Sequence, residues 1–252
     1  MIGGTGQRVV KARGLLAIAV GLLVAFLGWQ WWRTPERVVR GRALDRRELA
    51  LRVLGEYLAS QAPGQSVLIV ANPFSRQPGQ PREVAAFESV AIAGLKSGWR
   101  DSLQLAGVAY PELTEAARRD PSSVPMPPDA STPLSFLTTG RAWDQLAEQH
   151  PEAGVLVSLI GLPAGLEGMN WWKQPKPRVA LLLPDLRLAG DATSVLAAFR
   201  SGKILAAVLN RPGAPPERTA MAKDYRAEFE ARYLLLTPAN AEDVLRLMPG
   251  LF

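Results

Sequence analysis

The chain has 252 residues, 48% of them apolar, with 29 Lys/Arg against 23 Asp/Glu, one histidine and no cysteine. Without cysteine, disulfides, thiolate catalysis and Cys-ligated zinc are excluded. The net charge of +6 suggests nucleic acid, but residues 1–52 carry ten Lys/Arg and three Asp/Glu, and residues 53–252 carry nineteen and twenty.

The excess charge therefore lies in the first fifth of the chain. The rest has no basic field to attract DNA or RNA, and no nucleic-acid partner is expected. Residues 1–13 read as a tail. Their GGTG stretch, Gly3–Gly6, has no preceding strand and is not a phosphate loop.

Gly14–Trp32, GLLAIAVGLLVAFLGWQWW, contains no charge. Nineteen helical residues rise roughly 28 Å, about the thickness of a bilayer's hydrocarbon core. The stretch reads as a single transmembrane helix. It is not a cleaved signal peptide, because no small-residue cleavage site follows it. Gly14, Ala17, Gly21, Ala25 and Gly28 form a small-residue stripe suited to packing on another transmembrane protein or a second copy. Trp29, Trp31, Trp32 and Arg33 suit headgroup depth, and the arginines around the segment suit membrane lipid. A literal count of flanking positive charge puts the C-terminal side in the cytoplasm. The size of the following domain favours the periplasmic side of a bacterial inner membrane, which is the orientation adopted.

Residues 33–64 read as a basic, amphipathic helical connector. Thr34-Pro35-Glu36 is one start signal, and Asp45 with Glu48 is a second. Leu49, Val53, Tyr57 and Leu58 share a side, and Pro63-Gly64 ends the segment. The remaining residues, 65–252, read as one soluble α/β domain.

Six apolar runs recur there: Val67–Ala71, Leu103–Ala109, Val155–Ile160, Val179–Leu183, Ile204–Leu209 and Tyr233–Leu236. Continuous runs suit strands covered on both faces. Helix patterns separate most of them: Glu83–Lys96, stopping at Ser97-Gly98, then Glu112–Arg119, Ala142–Gln149, Ser194–Arg200 and Ala220–Arg232, with Ala241–Met248 closing the chain. The alternation predicts a mainly parallel sheet of about six strands with helices on both faces. Each run is followed by a proline: Pro73, Pro111, Pro163, Pro184, Pro212 and Pro238. In a parallel sheet these six would share one edge. A residue without N–H at each first turn disfavours the backbone cradle that phosphates need, so no nucleotide is expected.

The order of elements resembles a Rossmann-like or flavodoxin-like three-layer domain, similar in outline to one lobe of a periplasmic binding protein. The resemblance rests on element order and on no residue motif. About 190 residues make one lobe, not the two that close around a transported solute.

Material for chemistry is sparse. His150 precedes Pro151 at a helix end and reads as a cap, and Asp185, Asp191 and Glu167 read as loop acids near the strand ends. No catalytic residue, metal or cofactor is expected. Asn72, Phe74, Tyr110 and Asn210 would lie along the proline edge and contact a partner or ligand. Trp171-Trp172 is the other candidate contact, against the alternative of one ring buried under its loop and one half-exposed. Two functions follow. The first is a non-enzymatic, single-pass accessory or structural subunit of a membrane complex. The alternative is a membrane-anchored extracytoplasmic ligand-binding or sensor domain. A deep polar pocket at the proline edge would favour the alternative, and a filled edge with exposed aromatics the first.

Overall fold

The structure, a computed structural model, describes residues 35–248. The expected transmembrane helix, with its glycine stripe and tryptophan anchors, lies outside the described residues. Among the described residues no helix is long and apolar enough to cross a membrane. The body of the domain begins at Leu44.

The elements run α1 (Pro35–Gln61), β1 (Ser66–Val70), α2 (Arg82–Trp99), β2 (Gln104–Ala109), α3 (Glu115–Arg119), α4 (Leu134–Leu137), α5 (Gly140–Gln149), β3 (Ala153–Ser158), α6 (Asn170–Lys173), β4 (Arg178–Leu182), α7 (Ala192–Arg200), β5 (Ile204–Asn210), α8 (Tyr225–Arg232), β6 (Tyr233–Leu236) and α9 (Ala241–Leu247). The six strands form one sheet in the order β2-β1-β3-β4-β5-β6. Every pairing is parallel except β5 with β6.

Both faces are covered, as continuous apolar strands require. Val67 and Ile69 of β1 face one core with α1, α2 and Phe229 of α8. Leu68 and Val70 face the other, with Trp143 of α5, Trp171 of α6, Phe199 of α7 and Leu245 of α9. The domain is thus a three-layer α/β fold with a mostly parallel sheet.

Helix α1 runs through both start signals without a break. Leu49, Leu51, Leu54 and Leu58 are buried in the first core, so tertiary packing overrides the local cap at Asp45. Helix α2 continues through Ser97-Gly98 to Trp99 instead of stopping there. A Cβ at Gly94 or Gly98 would strike the carbonyl oxygen of Glu48 or Arg52. These glycines let α1 and α2 cross in backbone contact, which is why Gly98 serves packing and not a stop. The stop falls at Arg100, in the left-handed region with φ 50°.

The expectation of six prolines on one edge is corrected at one position. Pro73, Pro111, Pro163, Pro184 and Pro212 follow parallel strands and share the C-terminal edge. Strand β6 is antiparallel, with Tyr233 beside Asn210 and Leu236 beside Ala207, so Pro238 lies at the opposite end. The reason is geometric. Helix α8 ends at Arg232 and β6 begins at the next residue. No connection returns the chain to the far edge first, so the strand must run back.

Candidate functional site

In open α/β sheets ligands bind at the C-terminal edge where the strand order reverses. Here that point lies between β1 and β3. The chain after β1 turns at Asn72, whose Oδ1 accepts from Phe74 N at 2.9 Å and whose backbone N–H donates to Glu88 Oε2 at 3.1 Å. Glu88 Oε1 also accepts from Arg47 Nη2 at 3.0 Å. Burial pushes the Glu88 carboxyl pKa up and the Arg47 guanidinium pKa down, and the ion pair opposes both shifts. After β3, Ser158 Oγ donates to Gly161 O at 2.6 Å and closes a tight turn, with Gly161 at φ 78°. After β4, Leu183 takes a left-handed φ of 45°, a strained conformation for a leucine.

Segment 129–135 roofs these strand ends. Ala164 N donates to Ser135 O at 2.9 Å, and Arg187 Nη2 donates to Asp129 O at 2.8 Å. Arg187 also pairs with the carboxylates of Asp129 and Asp185. Hydrogen bonds from Arg187 hold the Asp185 carboxyl below its ordinary pKa, and Ser131 N contributes. Beneath the roof lies a mainly apolar cleft of about 150 Å³, lined by Arg47, Thr132, Leu134, Leu159, Leu182 and Leu183. The edge is therefore neither a deep polar pocket nor flat. It is a small cleft under a strap of the chain's own sequence.

The candidate contact residues separate. Phe74 packs on Leu113, Ala117 and Leu137. The Arg76 guanidinium lies 4.3 Å from the Tyr110 ring centroid. Asn210 is exposed at the end of β5, one strand beyond the cleft. Asn72, Phe74 and Tyr110 do share the β1–β2 end of the edge. Trp171 is buried, with 3% of its surface exposed, and Trp172 is half-buried. Trp171 stacks on Trp143 at 5.9 Å, so this pair is core rather than an open aromatic patch.

The acids do cap loops: Asp185 Oδ1 accepts from Arg187 N and Asp191 Oδ1 from Ser194 N. His150 ends α5 and sits 3.3 Å from Glu152. Among the described residues no group of acids and histidine could hold a metal ion.

Two buried polar sites were not visible in the sequence pattern. Lys203 Nζ donates to the carbonyls of Trp171, Gln174 and Pro177 at 2.7, 2.9 and 2.8 Å. It also sits 4.9 Å from the Trp171 ring centroid. Burial pushes its pKa down to about 8. On the other face, Glu228 accepts from both Arg46 and Arg232. Those arginines hold the chain after β5 through the carbonyls of Pro215, Glu217 and Thr219. A lysine at the mouth of β5 and an arginine inside a helix look like ordinary solvated charges until the fold is known.

No family model matches the sequence, and no curated protein does. Several solved structures are similar at low identity. A Mycobacterium smegmatis protein is 11% identical with a TM-score of 0.46, covering 81% of this chain and 62% of that one. A carbohydrate transporter solute-binding protein from Agrobacterium radiobacter, in complex with D-arabinose, is 15% identical with a TM-score of 0.43, covering 81% and 63%. A carbohydrate transporter from Acidothermus cellulolyticus, in complex with myo-inositol, is 13% identical with a TM-score of 0.42, covering 81% and 62%. The chain thus spans less than two thirds of the length of these proteins.

Proposed function

We propose that this chain is a non-enzymatic, membrane-anchored binding domain that takes a small ligand at the C-terminal edge of its sheet. The cleft beneath segment 129–135, walled by Leu159, Leu182 and the strained Leu183 with Arg47 at its side, carries this reading. Its volume is about half the low end of ordinary small-molecule sites, so the ligand is small or the strap lifts to admit it. The absence of a nucleophile–base pair in the sequence, and the capping duty of the nearby acids, support binding over catalysis. In this reading residues 14–32 anchor the protein in a bacterial inner membrane, residues 33–43 connect, and the domain from residue 44 lies on the periplasmic side. Neither nucleotide nor nucleic acid is its ligand.

Native mass spectrometry of the full chain tests it. The wild type carries a small molecule that is lost in Thr132→Trp, which fills the cleft. A wild type that carries nothing, and that no solute in a broad thermal-shift screen stabilises, removes the proposal.

The strap also favours a second reading. A crevice occupied by its own chain suits an accessory subunit whose partners bind elsewhere, among them through the Gly14–Gly28 stripe of its membrane segment. Purification in mild detergent separates the readings. Loss of a co-migrating membrane protein in Gly21→Leu/Gly28→Leu supports the subunit role.

A further inference from the structure

A second cleft opens at the far edge of the sheet, along β6. It holds about 310 Å³ between α1, α8 and β6. Its walls are apolar where Val53, Phe229, Tyr233 and Leu235 meet, and polar where Arg211 and Arg226 reach in.

Most charges near it are paired. Arg226 donates to Glu56 and to Tyr225 Oη. Arg211 differs. It is half-buried, and no acceptor among the described residues takes a hydrogen bond from its guanidinium. Its Nε is fully buried without a partner. The one acid in the lining, Glu230, is exposed and forms no ion pair with it. Tyr233 is half-buried with Arg46, Arg232, Glu217 and Glu228 as the charges around its phenol, so it serves the cleft as an apolar wall. A buried guanidinium N–H without an acceptor is costly, and the terminal nitrogens, which have no acceptor among the described residues, are open to a ligand.

We propose that this cleft binds a small monocarboxylate with a short hydrocarbon or aryl body. The carboxylate lies on the terminal nitrogens of Arg211, whose planar fork matches its two oxygens. The body lies against Val53, Phe229 and Leu235. The volume is at the lower end of small-molecule sites, which suits an acid of modest size. A bare inorganic anion would leave the apolar walls uncovered, and a neutral apolar molecule would leave the guanidinium unpaired.

The test is calorimetry on the full chain in nanodiscs, with empty nanodiscs as blank and hexanoate, hexanol and inorganic phosphate as probes. Hexanoate binds at least about tenfold more tightly than hexanol. Arg211→Gln abolishes that preference and leaves hexanol binding unchanged, while Arg211→Lys, which keeps the charge but loses the fork, retains part of it. Equal binding of hexanoate and hexanol overturns the proposal, as does no binding of hexanoate. Phosphate binding in preference to hexanoate marks a bare anion site and also overturns it. Should Arg211→Gln fail to fold, the wild-type preference for hexanoate over hexanol still decides.

Discussion

Two buried cationic sites lie on opposite faces of the sheet and solve one problem differently. Among the described residues Lys203 pairs with no acid, and it is held by three carbonyls and two indole rings. Arg46 and Arg232 share one carboxylate, Glu228, and spend their remaining donors on carbonyls of the chain after β5. Both sites pin a stretch of irregular chain to a regular core. The difference is counter-charge. Carbonyl dipoles hold an ammonium in place but do not neutralise it, so burial lowers the Lys203 pKa to about 8. At Glu228, burial alone would raise the pKa, but the Ala222 amide and the two guanidiniums reverse that and hold it below its ordinary value. The Glu228 site therefore titrates in acid and the Lys203 site in alkali.

Removing the shared carboxylate should do the greatest damage. Glu228→Ala strands two buried guanidiniums and is expected to cost about 3–5 kcal/mol in urea unfolding. Lys203→Met removes the charge along with its hydrogen bonds and strands only carbonyls, so its expected cost is smaller, about 1–3 kcal/mol. A larger loss at Lys203 than at Glu228 would break the comparison.

The pH dependences should have the same sign, stability rising with pH, but in separate windows. The contribution of Glu228 is complete above its ordinary pKa of 4.5 and is lost as pH falls through the lower folded value. The stability gap between wild type and Glu228→Gln should therefore close in acid. For Lys203 the folded pKa of about 8 lies below the ordinary 10.5, so between these values the unfolded chain binds the proton more readily. Wild type should gain stability relative to Lys203→Met as pH rises across that window. Unfolding midpoints of each pair, measured from acid to pH 10.5, check both signs.

The smallest effect should come from the strap. Asp129 is exposed and Arg187 keeps its buried partner Asp185, so Asp129→Asn should cost under about 1 kcal/mol. Its readout is local: amide exchange should accelerate across residues 129–135 while the Lys203 and Glu228 sites stay protected. Uniform acceleration over the whole domain would show that the strap is part of the core.

Much of the fold was legible locally. The six apolar runs coincide with the six strands to within a residue or two, and β1, β3, β4 and β5, buried on both faces, must be apolar throughout. Caps such as Asp191 before α7 act within a single turn and were equally readable. Misreadings arose where distant packing outvoted a local signal. Gly98 reads as a stop, yet it is the point where α2 touches the backbone of α1. For Trp171-Trp172 the sequence offered a contact patch or one buried ring, and the second holds, with Trp171 enclosed by Trp143 and Lys203.

The sequence alone determined the class of domain, the number of strands and the poverty of catalytic material, since each follows from composition or from a period of a few residues. Tertiary structure decided the rest. It set the direction of β6, which depends on where α8 leaves the chain, and it laid residues 129–135 over the strand ends. It brought Arg46 to Glu228 across 182 positions and left Arg211 beside an apolar cleft with no partner. Those outcomes depend on which surfaces meet. A charge separated from its partner by most of the chain carries no local mark of whether it will be paired, buried or left open.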